Sequence, residues 1–347
     1  MKLSHLKALC EIVDKDLHLS DAAFALHRSQ PALSRQIQQL EEDLGTILFE
    51  RSRNRLLRLT PHGEFIVEVA RRIVGDASNL RRFAQDAKDQ DVGTLTLATT
   101  HTQARYTLPR TIQRFMAQYD RVELTLLQGS PVQCCDMVAR GQADLAVCAE
   151  VYDRDDVIQL PCHQMQRIVV TQPGHPLLSR HPLTLGDICQ YPLILYGEGF
   201  NGRSVVDSAF QAAGLTPKVT LSAIDADVSK TYVEMGLGIA ILASVTFDPD
   251  KDTGLRRVDA SHLFSSSSLC VVMRPNSYLR NFTYELIRLF APHITRIQIQ
   301  QALNRTNLPY SQTLLALARK RCYLTALNDG ISTFRSMQRG SSRCPFA

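Results

Sequence analysis

The stretch LSDAAFALHRSQPALSRQIQQLEEDLGTILFERSRNRLLRLTPHGE, residues 19–64, decides how the N-terminus folds. Ser20 stands where a helix N-cap belongs, and Ala22, Ala23 and Leu26 then share one face of a short helix. Ser29 is a second cap candidate. Pro31 follows it, and a first helical turn has no hydrogen bond for proline to break. Leu33, Ile37, Leu40 and Leu44 recur at spacings of 4, 3 and 4, and Gly45 fits a left-handed C-cap. Upstream, Leu3, Leu6, Leu9, Ile12 and Val13 predict one more amphipathic helix. Two short helices joined so closely predict a helix-turn-helix. Its second helix turns the leucine stripe inward and leaves Gln30, Ser34, Arg35 and Gln38 off the core. Glutamine can read adenine and arginine can read guanine, each bidentately. The first turn, opened by Ser29, Gln30 and Pro31, presents its free backbone N–H groups to phosphate, Pro31 having none to lend. Ile47-Leu48-Phe49 then opens an extended segment, with Arg51, Arg53, Arg55 and Arg58 placing four arginines in eight residues. A hairpin wing bearing them would grip the DNA backbone or the minor groove.

The whole chain has 347 residues, enough for two or three domains. Hydrophobic residues at 44% and charged residues at 21% exclude a disordered chain. No apolar run approaches the length of a membrane span, so no membrane partner is expected. The opening MKLSHLKALCEIVDKDLHLS meets charge too early for a secretory signal. Nine cysteines, odd in number and without a CxxC pair, predict mostly buried thiols in a reducing cytoplasm. No metal site and no cofactor are expected. The net charge is +5, yet residues 296–347 hold eight basic side chains against the single acid Asp329. Any basic surface in the body is therefore local.

From Pro61 the apolar residues Ile66, Val69, Ile73, Ala77, Leu80, Ala84 and Ala87 form one helical stripe. Such a helix, set between two domains, buries its stripe most simply against its copy in a second subunit. The polar stretch 87–93 reads as a hinge. After Gly93 short strands alternate with helices, first over residues 94–148 and again over 167–242. This order predicts two lobes with largely parallel sheets. Leu269–Met273 and Tyr278–Phe290 are expected to return to the first lobe, and no sequence repeat is visible. Parallel lobes place ligands at strand ends near helix N-termini. Thr99, Thr100, Thr102 and Gln103 cluster at one such end, before a helix predicted over Arg105–Tyr119. Gln128-Gly129-Ser130-Pro131 repeats the device at the next, so hydroxyls, an amide and helix N-termini converge as if on an anion.

These motifs resemble the LysR-type transcriptional regulators. The matching features are the Ala22-Ala23 helix, Ser29-Gln30-Pro31-Ala32-Leu33-Ser34, and Ile37-x-x-Leu40-Glu41-x-x-Leu44-Gly45. Leu48-Phe49-x-Arg51 and Leu59-Thr60-Pro61-x-Gly63 complete the set. The resemblance implies a winged helix-turn-helix DNA-binding domain (1–60) and a dimerising linker helix with hinge (61–92). It further implies an α/β two-lobed, periplasmic-binding-protein-like effector domain (93–295), leaving a basic, partly disordered extension (296–347). It also implies double-stranded DNA with a palindromic operator, a small-molecule effector, RNA polymerase, and a homodimer or homotetramer as partners. The strings ATTHTQARY (98–106), QGSP (128–131), NGRS (201–204), AGLTP (213–217) and DADVSKTYVEMGLG (225–238) are similar to the family's sulfur-assimilation and sulfonate-utilisation branch.

In that branch the threonine-rich turn binds sulfate or a small serine-derived inducer, and Thr100, Thr102 and Gln103 match it. Ala149 and Asn201 stand where the branch carries threonine, which weakens the case for sulfate itself. Glu198, near the second of these, is read as facing solvent. The implied function is a regulator, an activator by resemblance, switched by a small anionic or serine-like sulfur metabolite. A regulator of another pathway with an unrelated effector is the alternative. An enzyme is not expected: Cys134 and Cys135 fall inside a predicted helix, and with His101 and His163 they form no ordered triad. A transport solute-binding protein has no use for the N-terminal motif.

Overall fold

The computed structural model describes residues 1–52, 55–197 and 201–304, with residue 201 described by its backbone alone. The chain opens with α1 (Leu3–Asp14), α2 (Leu19–Ala25) and α3 (Gln30–Leu44). Leu6, Leu9, Ile12, Ala22, Ala23, Leu33, Ile37 and Leu40 close on one core. Ser29 caps α3 by accepting the Ala32 N–H, and Gly45 ends it at φ 65°. Ser20 is not the cap of α2. That position falls to His18, which makes no side-chain cap bond, and the Ser20 hydroxyl donates to Gln30 Oε1 at 3.4 Å. Leu44 stays exposed because Leu48 and Phe49 already fill the core beside that turn. β1 (Phe49–Ser52) and β2 (Arg55–Leu59) pair antiparallel as a wing, with a bulge at Glu50–Arg51.

α4 (Pro61–Asp86) runs for 26 residues from a Thr60 cap. A Cβ on Gly63 would sit 2.2 Å from the Leu48 carbonyl oxygen, so only glycine lets this helix start so close to the wing. Val67 and Ala70 join the winged core, with Ile66 and Val74 at its edge. Further along, Asn79 donates to the Asn276 carbonyl and Arg82 pairs with Asp144. Asp86 accepts from Arg280 and Tyr278. One face of α4 thus lies on its own chain, while Phe65, Ile73, Leu80 and Phe83 stay exposed. The stretch read as a hinge carries an anchor, since Arg280 donates to the carbonyls of Asp89 and Val92 at 2.8 and 2.9 Å.

Lobe 1 runs β3 (Gly93–Thr99), α5 (Pro109–Gln118), β4 (Val122–Gln128), α6 (Pro131–Ala139), β5 (Leu145–Ala149) and β6 (Ile158–Met165). Lobe 2 runs β7 (Arg167–Thr171), α7 (Leu185–Cys189), β8 (Leu193–Tyr196), α8 (Asn201–Ala212), β9 (Val219–Ala223), α9 (Ala226–Glu234), β10 (Ile239–Ala243) and β11 (Arg256–Asp259). β12 (Ser267–Met273) returns to lobe 1 as expected, followed by α10 (Asn281–Phe290) and α11 (Arg296–Leu303).

The sheet orders are β4-β3-β5-β12-β6 and β9-β8-β10-β7-β11. They share one pattern that no sequence repeat announces. Each is parallel but for one reversed strand: β12 runs antiparallel to β5 and β6, and β7 antiparallel to β10 and β11. The reversed strand in each sheet is the one by which the chain enters from the other lobe. The helix predicted from Arg105 to Tyr119 is instead a π-turn over Gln103–Thr107 followed by α5.

Residues 296–303, assigned by sequence to the extension, form α11 and bury Ile299, Ala302 and Leu303. Cys322, Cys344 and the disorder expected of the tail fall outside the described residues. Among the described residues, no helix is long and apolar enough to cross a membrane.

Candidate nucleic-acid interface and interlobe cavity

The outer face of α3 presents Gln30, Pro31, Arg35 and Gln38 to solvent, with Ser34 half-buried beside them. Ser29 is exposed at the cap. A groove of about 380 Å³ runs between helix and wing, lined by Gln30, Pro31, Ser34 and Gln38 on one side and by Arg51 and Leu56 on the other. Arg55 borders a second groove, beside Gln30. Arg51 is not a free cation: its guanidinium holds Glu41 of α3 at 2.8 Å, which braces the wing against the helix. Arg58 similarly holds Glu50 at 2.8 Å within the hairpin. Arg53 lies outside the described residues. The assembly is a polar, partly basic face framed by a helix and a hairpin.

The second site is a cavity of about 60 Å³ between the lobes. Lobe 1 contributes Thr100, His101, Thr102, Gln103, Pro131, Ala149 and Met165, and lobe 2 contributes Arg167, Tyr196, Gly202, Ile224 and Ala243. The π-turn inserts an extra residue per turn and carries Gln103, only 2% exposed, at the cavity wall. Gln103 Nε2 donates to the weak acceptor Met165 Sδ at 3.3 Å, while its Oε1 accepts the Thr107 hydroxyl at 2.7 Å. Tyr196 is pushed up to about 12 by burial, against the opposing pull of Thr102 and Arg167.

Two expected effector residues, one from each turn, meet a different geometry. Thr99 is fully buried and donates its hydroxyl to the Val147 carbonyl at 2.7 Å, joining β3 to β5 rather than lining the cavity. Ser130 closes a capping box with Gln133, so Pro131 forms the wall in its place. The side chain of Asn201 and all of Glu198 lie outside the described residues.

The cleft is clamped beside the cavity. Asp227 of α9 accepts from Tyr106 at 2.6 Å, lies 2.7 Å from Arg105 and meets His101 at 3.1 Å, all from lobe 1. Burial raises the Asp227 carboxyl, but bonds from Tyr106 and His101 and the charges of Arg105 and Lys230 outweigh it and leave it below the usual carboxylate range. His101, Asp225 and Asp227 also stand within 4.8 Å of one another. With Arg105 and Lys230 already neutralising Asp227, and Asp225 capping α9 through the Val228 N–H, this grouping is a latch rather than a metal centre.

Arg167, Tyr196 and Met165 were not among the residues expected here. Arg167 opens an apolar strand, RIVVT, and a charge heading such a run is the signal that could have marked it. The candidate nucleophiles are core thiols instead. Cys134, Cys135 and Cys148 pack together in lobe 1, and burial pushes Cys10 up to about 11 and Cys162 up to about 12. His163 Nε2 lies 3.0 Å from the Phe290 carbonyl, away from those thiols.

Residues 3–64 match the bacterial regulatory helix-turn-helix protein, lysR family, and residues 88–295 match the LysR substrate binding domain. The HTH-type transcriptional regulator SsuR of Burkholderia cenocepacia is 44% identical over 300 residues, 86% of this chain and 97% of that protein. The HTH-type transcriptional regulator CysB of the same organism is 43% identical over 304 residues, 87% and 97% of the two chains. The crystal structure of the cofactor-binding domain of the Cbl transcriptional regulator is 33% identical with a TM-score of 0.60, covering 62% of this chain and 95% of that one.

Proposed function

The chain belongs to the LysR family of transcriptional regulators, and from that premise we propose that it switches genes of sulfur assimilation or sulfonate utilisation in response to a small anionic or serine-like metabolite. One observation carries this reading: a single chain joins an exposed, groove-forming face of α3 to a cavity between two lobes into which threonine, glutamine and arginine side chains reach. Ser34, Arg35 and Gln38 read base edges, while the first turn at Ser29, Gln30 and Pro31 and the wing arginines 51, 53 and 55 hold the backbone. Paired α4 helices bring two such faces to a palindrome in a dimer or tetramer, and an activated complex engages RNA polymerase. Thr100, Thr102 and Gln103 hold the effector, and the branch's motif assigns Asn201 to the same task. Residues 1–60, 61–92 and 93–295 serve as DNA-binding, linker and effector regions. The pathway rests on the motif ATTHTQARY and on likeness to SsuR and CysB. Arg35→Ala is expected to weaken specific operator binding by about 1–3 kcal/mol and to relax preference at one or two positions. A footprint and affinity unchanged in a titration would remove α3 from the interface.

A second reading, another pathway with an unrelated effector, is favoured by one wall residue. Ala149 presents a methyl where the branch has a hydroxyl. Restoring it with Ala149→Thr should tighten sulfate by roughly 1–2 kcal/mol in calorimetry. Native protein that already binds sulfate tightly, or a variant that gains nothing, would show that this position does not discriminate.

A further inference from the structure

The structure places a buried positive charge in the cavity that no described residue neutralises. Arg167 is 3% exposed. Its Nη2 donates to the Ser267 hydroxyl at 2.8 Å, and its Nε has no partner. A guanidinium carries five N–H donors, and here a single neutral oxygen answers them. Among the described residues Arg167 forms no ion pair, in contrast to Arg280, equally buried but fixed on Asp86 at 2.8 Å. Burial also drives the Arg167 pKa downward, with no carboxylate to oppose it.

Among the described residues the rest of the wall supplies donors and no negative charge. Thr100, Thr102 and Gln103 offer hydroxyls and an amide. The N-terminus of the 12-residue helix α8 reaches the cavity at Gly202, which packs so closely on Tyr196 that a Cβ would stand 2.8 Å from the ring. That terminus adds partial positive charge to the guanidinium. Arg167 also sits at the crossing between lobes: Gln166 alone separates β6 from β7, and its partner Ser267 opens the returning strand β12.

We propose that Arg167 is the charge that anchors the effector, and that the cavity therefore takes a molecule presenting a carboxylate or a tetrahedral oxyanion of a few heavy atoms. This rests on the effector reading above and deepens it. An anion on Arg167 bears on both crossing strands at once, so its arrival is felt where the lobes hinge.

The test uses the full chain and thermal unfolding in Tris chloride, with millimolar sulfate, phosphate or acetate as probes. An arginine kept for a ligand burdens the empty protein. Arg167→Met is therefore expected to melt several degrees above the native protein without probe and to lose the upward shift that at least one anion gives the native protein. Arg167→Lys, which keeps the charge and loses the fork, should retain a smaller shift. A lower melting point, or failure of Arg167→Met to fold, marks a structural arginine and overturns the proposal. So does an anion shift that survives in Arg167→Met, or a native protein indifferent to all three probes. Operator binding by the same proteins in a mobility-shift assay is read separately. Its loss in the native chain would count against the regulator and leave the anion result standing.

Discussion

Replacing Arg280 with alanine is expected to lower the unfolding free energy by about 3–5 kcal/mol, the usual cost of stranding a buried charge. Arg280 and Asp86 are each only 6% exposed, so water cannot take the place of the lost partner. The same guanidinium donates to the carbonyls of Asp89 and Val92 and lies 4.6 Å over the Phe282 ring. Its removal therefore leaves the Asp86 carboxylate with the Tyr278 hydroxyl but no counter-charge, and takes the donor from two carbonyls where α4 meets the effector domain. Urea unfolding followed by circular dichroism measures the loss. The double variant Asp86→Leu, Arg280→Leu should recover much of it, because no charge is then left behind. A single-variant loss below about 1 kcal/mol, the range of exposed pairs, would mean that solvent reaches the site.

Leu80→Asp is expected to dissolve the oligomer and operator binding together. Leu80 is 70% exposed and shares a face of α4 with Phe65, Ile73 and Phe83. A helix that shows four large apolar side chains to water on one side, while its other side is bonded to its own chain, is built for a partner. Aspartate in such a seam costs several kcal/mol, and the loss is borne twice across a two-fold interface. Sedimentation velocity on native and variant protein tests it. A variant that keeps the native mass and still binds operator would place the assembly surface elsewhere. The chain's own folding should hardly change, because Leu80 buries little within it.

The N-terminal unit was legible because its signals are local: a cap at Ser29, a left-handed stop at Gly45 and apolar residues at helical spacing between them. Ser20 misled because the chain enters α2 two residues earlier than such a cap implies, at Leu19, and capping chemistry does not override that turn. In the effector region most strands were legible from apolar runs, but the reversal of one strand in each sheet was not. Direction depends on which end of a sheet the chain enters, and no local pattern encodes that. β6 escaped because LPCHQM breaks the alternation with a proline and two polar side chains. The effector turn was found as a cluster, but Thr99 and Thr100 alternate across the strand end, so one bonds its neighbouring strand and the other lines the cavity. Arg167 was hidden for a related reason, since a strand of otherwise buried apolar residues does not declare which way its first side chain turns.

The placement of β12 also sets an order for biosynthesis. A chain leaving the ribosome has the residues of the winged core in hand early, and lobe 2 is continuous from Arg167 to Asp259. Lobe 1 cannot close in its turn, because β12 lies between β5 and β6 and its residues 267–273 come last. Until they emerge, β5, whose five residues are all buried in the finished protein, waits with an open edge. Open apolar edges on nascent chains are what chaperones shield and what aggregation exploits. A premature stop between Asp259 and Ser267 would thus leave a folded winged domain tethered to a sheet that nothing can complete.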